Sequence, residues 1–209
     1  MRMRWLEKLM MRSPVRRWML RRLEVPRVLD GVAPGPGSRV LEIGCGDAYG
    51  AVLLRRALAP ADVVAVDLDP AMLRAARRTL LRPPRAFRDA GARPVLLVCG
   101  DASALAFSDA SFDAVVLFGM LHHVAAWRDA IGEVYRVLAP GGIFAFEEAL
   151  LSDRPVWLNR WWGHVPFEAG EVRETLASVG FDVERFEGAR FPPVCYVRAV
   201  KPGPAGDRA

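Results

Sequence analysis

The stretch "VLEIGCGDAYG", Val40–Gly50, decides how the rest of the chain is read. Val40–Ile43 is short and apolar apart from Glu42, the composition of a buried strand. Gly44-Cys45-Gly46 then forms a turn that lets backbone come close to a ligand. A phosphate-binding loop of the GxxxxGK type would need a lysine, and none is near. A dinucleotide turn, GxGxxG, would need glycine where Tyr49 stands; the next glycine is delayed to Gly50. Glu42 adds a charge argument. A carboxylate just before the turn repels a pyrophosphate held at a helix N-terminus and favours a cationic ligand.

Outward from this turn, strand-like runs alternate with amphipathic helices. "RVLEI" (39–43), "DVVAVDL" (62–68), "PVLLVCG" (94–100) and "FDAVVLFG" (112–119) are short and mostly apolar, as central strands of a parallel sheet covered on both faces are. Between them lie "AYGAVLLRRAL" and "PAMLRAARRTLL", the latter with Pro70 at a helix start. "AWRDAIGEVYRVL" follows the fourth strand, and Gly141-Gly142 is expected to end that helix before "IFAFEEAL". After the helix "EAGEVRETLASVG", the runs "FDVERFEG" and "VCYVRAVKP" are separated too briefly for anything but an antiparallel hairpin. The expected fold is α/β: a Rossmann-like, doubly wound sheet of seven strands, mostly parallel with an antiparallel C-terminal hairpin strand.

Ahead of the sheet, residues 3–12 and 14–24 read as two short helices broken at Ser13-Pro14, and residues 1–37 as a helical cap. The main domain spans 38–202 with an aromatic insert at 151–168, and 203–209 is a flexible tail. Residues 83–94, with three prolines, read as a long irregular loop. The net charge of +5 is unevenly held: residues 1–28 carry nine basic and two acidic residues, leaving the remainder about −2. Only Lys8 and Lys201 are lysine, and the arginine excess reads as coding bias rather than a nucleic-acid surface. Cys45, Cys99 and Cys195 have no metal spacing; Cys45 and Cys99 sit in apolar runs and read as buried thiols. No apolar run near the N-terminus is long enough for a signal peptide or membrane span, so a cytoplasmic location is expected.

Open parallel sheets bind ligands at the carboxyl ends of their strands. Asp67 ends the second strand, 21 residues after Gly46, where a carboxylate can accept both hydroxyls of a ribose. Asp101 follows the third strand in "CGDA", where it can accept from an adenine amino group while the Ala102 N–H donates to the ring. A cationic amine, a ribose and an adenine together describe S-adenosylmethionine.

Five segments in order, "VLEIGCG", "VVAVDLDPAML", "CGDASALAFSDASFDAVVLFGMLHHV", "RVLAPGGIFAFEEA" and "VGFDV…VCYVRAVKP", resemble the class I S-adenosylmethionine-dependent methyltransferases, in the small-molecule group that includes quinone-biosynthesis enzymes. The resemblance implies S-adenosyl-L-methionine as cofactor. It implies that Glu42 meets the methionine amine directly or through water, with Gly44 and Gly46 passing beneath the cofactor. Asp67 would hold the ribose, Leu68 and Met72 would flank the adenine, and Asp101 with Ala102 would read its edge. Phe118 and Gly119 would lie beside the methionine portion. Asp69, next to Asp67, reads instead as a cap for the helix at Pro70. The departure is Ala48, where the family usually has glycine.

Candidate bases for the acceptor are His123 first, then His122, and His164 from the insert; no metal is expected. Glu147 and Glu148 follow the fifth strand, and Tyr49 could close over the methionine end. Trp157, Trp161, Trp162 and Phe167 in the insert favour an apolar or aromatic small-molecule acceptor. No nucleic-acid partner is expected, because the Asn/Asp-Pro-Pro-aromatic run of base methylation is replaced by "FGMLHHV". Two alternatives stay open: a methyltransferase for a nucleic acid or protein, and a non-catalytic cofactor-binding protein of the same fold. Residues 1–28 could touch a membrane peripherally or form a lid with a solvated basic face.

Overall fold

The computed structural model describes residues 10, 12–59, 62–82, 94–151, 155, 157, 159, 161, 163–190 and 193–203. The helix expected over 3–12, the loop expected over 83–94 and the tail from 203 fall mostly outside these residues. Helix α1 (Pro14–Met19) begins as its sequence requires: Ser13 Oγ accepts the Arg16 N–H at 3.1 Å and proline fills the first turn. It runs on through a π-helical turn, Leu20–Glu24, closed by the Val25 N–H donating to the Leu20 carbonyl, and into α2 (Val25–Val28).

The sheet is built from β1 (Arg39–Ile43), β2 (Asp62–Asp67), β3 (Val95–Cys99), β4 (Phe112–Phe118), β5 (Leu138–Ala149), β6 (Asp182–Arg190) and β7 (Pro193–Val200). Its order is β3-β2-β1-β4-β5-β7-β6. β1 to β5 run parallel, and β7 is antiparallel to both β5 and β6. The expected hairpin is therefore present, with β7 inserted between β5 and the edge strand β6. Helices α3 (Tyr49–Leu58), α4 (Pro70–Leu81), α5 (Trp127–Val137) and α6 (Ala169–Val179) cover the faces.

Strand alternation divides the core between the two faces. Leu41, Ile43, Val115 and Leu117 pack with α5 and α6 on one side. Val40, Ala114, Val116 and Phe118 face the other, with Val52 and Leu53 of α3 and with Leu20, Val25 and Val28 of the N-terminal segment. Both sets being apolar is why the strands read as continuous hydrophobic runs.

Two expectations are corrected. Helix α5 ends at Val137, before Gly141-Gly142. The glycines lie within β5 instead: Gly141 has φ +77° and donates to the Lys201 carbonyl at 2.8 Å, while Lys201 donates back to Gly142 at 2.9 Å. The end of β7 thus pairs with a kinked start of β5. Cys99 is exposed, because β3 is an edge strand with few fully buried positions. Cys45 and Cys195 are buried and all three thiols are free. Among the described residues no helix is long and apolar enough to cross a membrane.

Candidate active site

β1 lies between β2 and β4, so the chain reverses its direction of travel across the sheet at the carboxyl end of β1. The crevice of an open sheet forms at such a point, and here it is a cavity of about 260 Å³. Gly44, Gly46, Asp67, Leu68, Asp101, Ala102, Phe118 and Gly119, all named from the sequence, line it. His123 lines it as well.

The β1 turn is shaped by glycines where nothing else fits. Gly44 has φ +73°, and a Cβ there would stand 2.7 Å from Cβ of Met120. Ala48 takes φ +60° immediately before α3, so the methyl that replaces the family's glycine is held in the left-handed region. Gly50 has a different reason for being glycine: a Cβ there would lie 1.9 Å from Glu42 Oε1. The delayed glycine makes room for a carboxylate and not for a ligand.

Glu42 is buried behind the cavity wall and is not among the lining residues. Its Oε2 has no hydrogen-bond partner. Burial, with Asp47 and Asp67 close by, holds its carboxyl well above the usual carboxylate range. Met72 is also buried, its Cε 3.4 Å from where a Cβ on Gly46 would sit, so it supports the turn from behind. Asp67 accepts the Gly46 N–H through Oδ2 and the Asp69 N–H through Oδ1, both at 2.8 Å. Asp69 caps α4 through the Ala71 N–H at 2.8 Å, as its sequence position implied. Asp101 Oδ1 is held by the Ser103 N–H and hydroxyl, which keep that carboxyl below its ordinary range. Leu68 stands 44% exposed at the rim, an apolar surface available to a flat ring.

A buried carboxyl oxygen without a partner, a glycine cradle and two rim carboxylates form an acidic site. These residues fit S-adenosylmethionine, a cationic ligand with a diol and an adenine.

Across the cavity, β4 ends at Phe118 and the chain enters Gly119, with φ +63°, then a 3-10 turn, Leu121–His123. His122 is buried, and its Nδ1 hydrogen-bonds Oε1 of Glu148. Glu148 also accepts the Leu121 N–H at 2.6 Å and the Ala149 N–H at 2.8 Å. The buried Glu147 faces Gly119. Burial, followed by the charges of Glu24 and Glu148, pushes its carboxyl up to about 8 against the pull of Arg16. His164 is brought alongside by the insert, its ring centroid 4.8 Å from that of His122.

The N-terminal segment reaches this edge. Arg17 pairs with Asp47 at 2.5 Å and lies over the Tyr49 ring, which is buried and does not line the cavity. Arg16 pairs with the buried Glu24 at 2.6 Å. In the insert, Phe167 packs on Trp127 at 4.8 Å, whereas Trp157 and Trp161 are 70% and 60% exposed. Trp162 lies outside the described residues. Sequence reasoning missed Met120, Val124 and Ala126 in the cavity wall. Met120 carried a signal in hindsight, since it directly follows the strand-ending Phe118-Gly119.

Comparison with known proteins bears on the same region. Residues 41–146, half of the chain, match a family described as "Methyltransferase domain". The chain is 40% identical over 135 residues to a demethylmenaquinone methyltransferase of Parafrankia, covering 60% of this chain and 51% of that protein. It is 35% identical over 118 residues to a phthiotriol/phenolphthiotriol dimycocerosates methyltransferase of Mycobacterium leprae, covering 56% of this chain and 40% of that protein. It thus spans about half the length, or less, of the curated relatives it matches. A solved S-adenosylmethionine-dependent methyltransferase from Aquifex aeolicus superposes with a TM-score of 0.73 at 17% identity, covering 94% of this chain and 97% of that one.

Proposed function

The chain belongs to the methyltransferase-domain family, and from that premise we propose that it is an S-adenosyl-L-methionine-dependent methyltransferase acting on a small apolar or aromatic acceptor. The observation that carries the reading is the buried, unpartnered Glu42 oxygen behind a glycine-lined cavity. A carboxyl so placed is stabilised in its ionised form when a cation arrives. The sulfonium of the cofactor brings a methyl group already activated for displacement. The chain's own contribution is alignment and the exclusion of water.

In this reading Asp67 accepts the ribose hydroxyls, Asp101 and the Ala102 N–H meet the adenine edge, and Leu68 covers its face. Glu42 acts on the amine through water, and Met72 supports Gly46 from behind. Phe118 and Gly119 border the methionine portion. Of the candidate bases, His123 is the one that lines the cavity, with His122 and His164 beside it. The two relatives are named for small-molecule methyl acceptors, and the exposed Trp157 and Trp161 suit an apolar one. Three free thiols suit a reducing, cytoplasmic setting.

Calorimetry with S-adenosylhomocysteine tests the cofactor. Saturable binding is expected, and its absence at millimolar ligand ends the reading. Turnover is then sought with lipophilic quinols and phenols.

A further inference from the structure

The chain has three histidines among its 209 residues, and the fold gathers all three. The ring centroids of His122, His123 and His164 are 4.1, 4.8 and 4.9 Å apart. One ring nitrogen from each lies within 4.8 Å of the others. His122 is buried and the other two are half-buried. They come from two segments about forty positions apart, joined by backbone: the Val165 N–H donates to the His122 carbonyl at 2.7 Å. His164 is fixed in turn by donating its N–H to the Asn159 carbonyl at 2.8 Å.

The trio is also braced from behind. Glu148, fully buried, holds Nδ1 of His122 and is itself held by two backbone N–H groups. A carboxylate on one ring nitrogen places the proton there and leaves the other nitrogen's lone pair for coordination. Metal-ligating histidines are oriented in this way.

We propose that His122, His123 and His164 form a binding site for a divalent transition metal of the zinc type, with Glu148 as the carboxylate that orients His122. Three imidazoles without a carboxylate in the first sphere select zinc, cobalt or nickel over magnesium or calcium. A tetrahedral ion with bonds of about 2.0–2.1 Å sets its nitrogens roughly 3.4 Å apart. The rings must therefore close by about an ångström or more. With His122 pinned by Glu148, that movement falls on His123 and His164. Three protein ligands leave one coordination position open, and His123 places the site on the cavity wall. An oxygen of the acceptor suits that position, and His123 is then a ligand rather than a base. This last step rests on the methyltransferase reading; metal binding itself does not.

The test uses the full chain without a histidine tag, stripped with chelator and titrated with Co(II). The expected result is about one Co(II) per chain with the visible absorption of a tetrahedral site, displaced by Zn(II). His123→Gln and His164→Gln should abolish uptake, while Glu148→Gln, which keeps the three ligands, should weaken it roughly 10–100-fold. Circular dichroism and melting verify that each variant is folded, and His164→Gln, outside the sheet, keeps the test decisive if a β4–β5 variant is not. No Co(II) uptake by the parent chain overturns the site, as does uptake unchanged in His123→Gln, or a thiolate charge-transfer band from the exposed Cys99. S-Adenosylhomocysteine binding is measured on the same stripped protein. Its failure alongside intact Co(II) uptake would count against the cofactor reading alone.

Discussion

On the β1–β3 side of the cavity the chain works mainly with backbone and short-range bonds. Gly44 and Gly46 bend along the cavity wall, Asp67 is clamped by two N–H groups, and Asp101 by Ser103 two residues away. On the β4–β5 side it works with side chains from distant segments. Glu148 meets His122, His164 arrives from the insert, and Glu24 with Arg16 bears on Glu147 from the N-terminal helix. The first side is held by conformation. The second is held by packing among separate elements.

The contrast can be broken most severely at Gly44. Gly44→Ala forces a left-handed alanine against Met120 and should cost about 2–4 kcal/mol of stability, read as a lowered melting temperature. A variant that melts with the parent would show that the turn is not held by conformation. Asp67→Ala comes next. Losing charged hydrogen bonds should weaken S-adenosylhomocysteine by about 1–3 kcal/mol, and unchanged affinity in calorimetry would remove the ribose assignment.

The other side is sharpened by pH. Glu147 is pushed up to about 8 in the folded chain against an ordinary value of 4.5, so folding takes up a proton between those values. Stability therefore falls as pH rises through that window. Glu147→Gln should flatten this fall by at least about 2–4 °C in melting temperature between pH 5 and pH 9, the shift that about 1 kcal/mol produces in a chain this size. Parallel melting curves would show that the carboxyl titrates normally. The smallest effect belongs to Ala48→Gly. Relief of the left-handed alanine, about 1 kcal/mol, is offset by a lost buried methyl and by a more flexible unfolded chain. The net change in stability should stay under about 1 kcal/mol with cofactor affinity unaltered; a tenfold change in affinity would show that the methyl displaces the turn.

The same contrast explains what the sequence made legible. Strand and helix order, the cradle glycines, Asp67 and Asp101 follow from periodicity and from spacing within single βα units. Asp69's cap was readable for that reason, being two residues from its partner. The convergence of His122 with His164, or of Glu24 with Glu147, depends on pairings between separate elements that no local pattern encodes. The role of Gly50 was hidden for a related reason, because its constraint is the Glu42 side chain of the preceding strand. The end of α5 was misplaced because Gly141-Gly142 serves a kinked strand as readily as a helix end.

The π-helical turn at Leu20–Glu24 has an evolutionary consequence. A turn closed five residues back holds one residue more than an α-turn, so everything N-terminal to it is rotated by about 100° relative to α2. Val25 and Val28 stay seated on the sheet while Trp18 and its neighbours point elsewhere. A single-residue deletion within 20–24 would restore ordinary helix and swing that exposed face to a new bearing, at the cost of Leu20's place in the core. One codon thus sets the bearing of the N-terminal face, and with it the Arg17–Asp47 pair that ties this segment to the β1 turn.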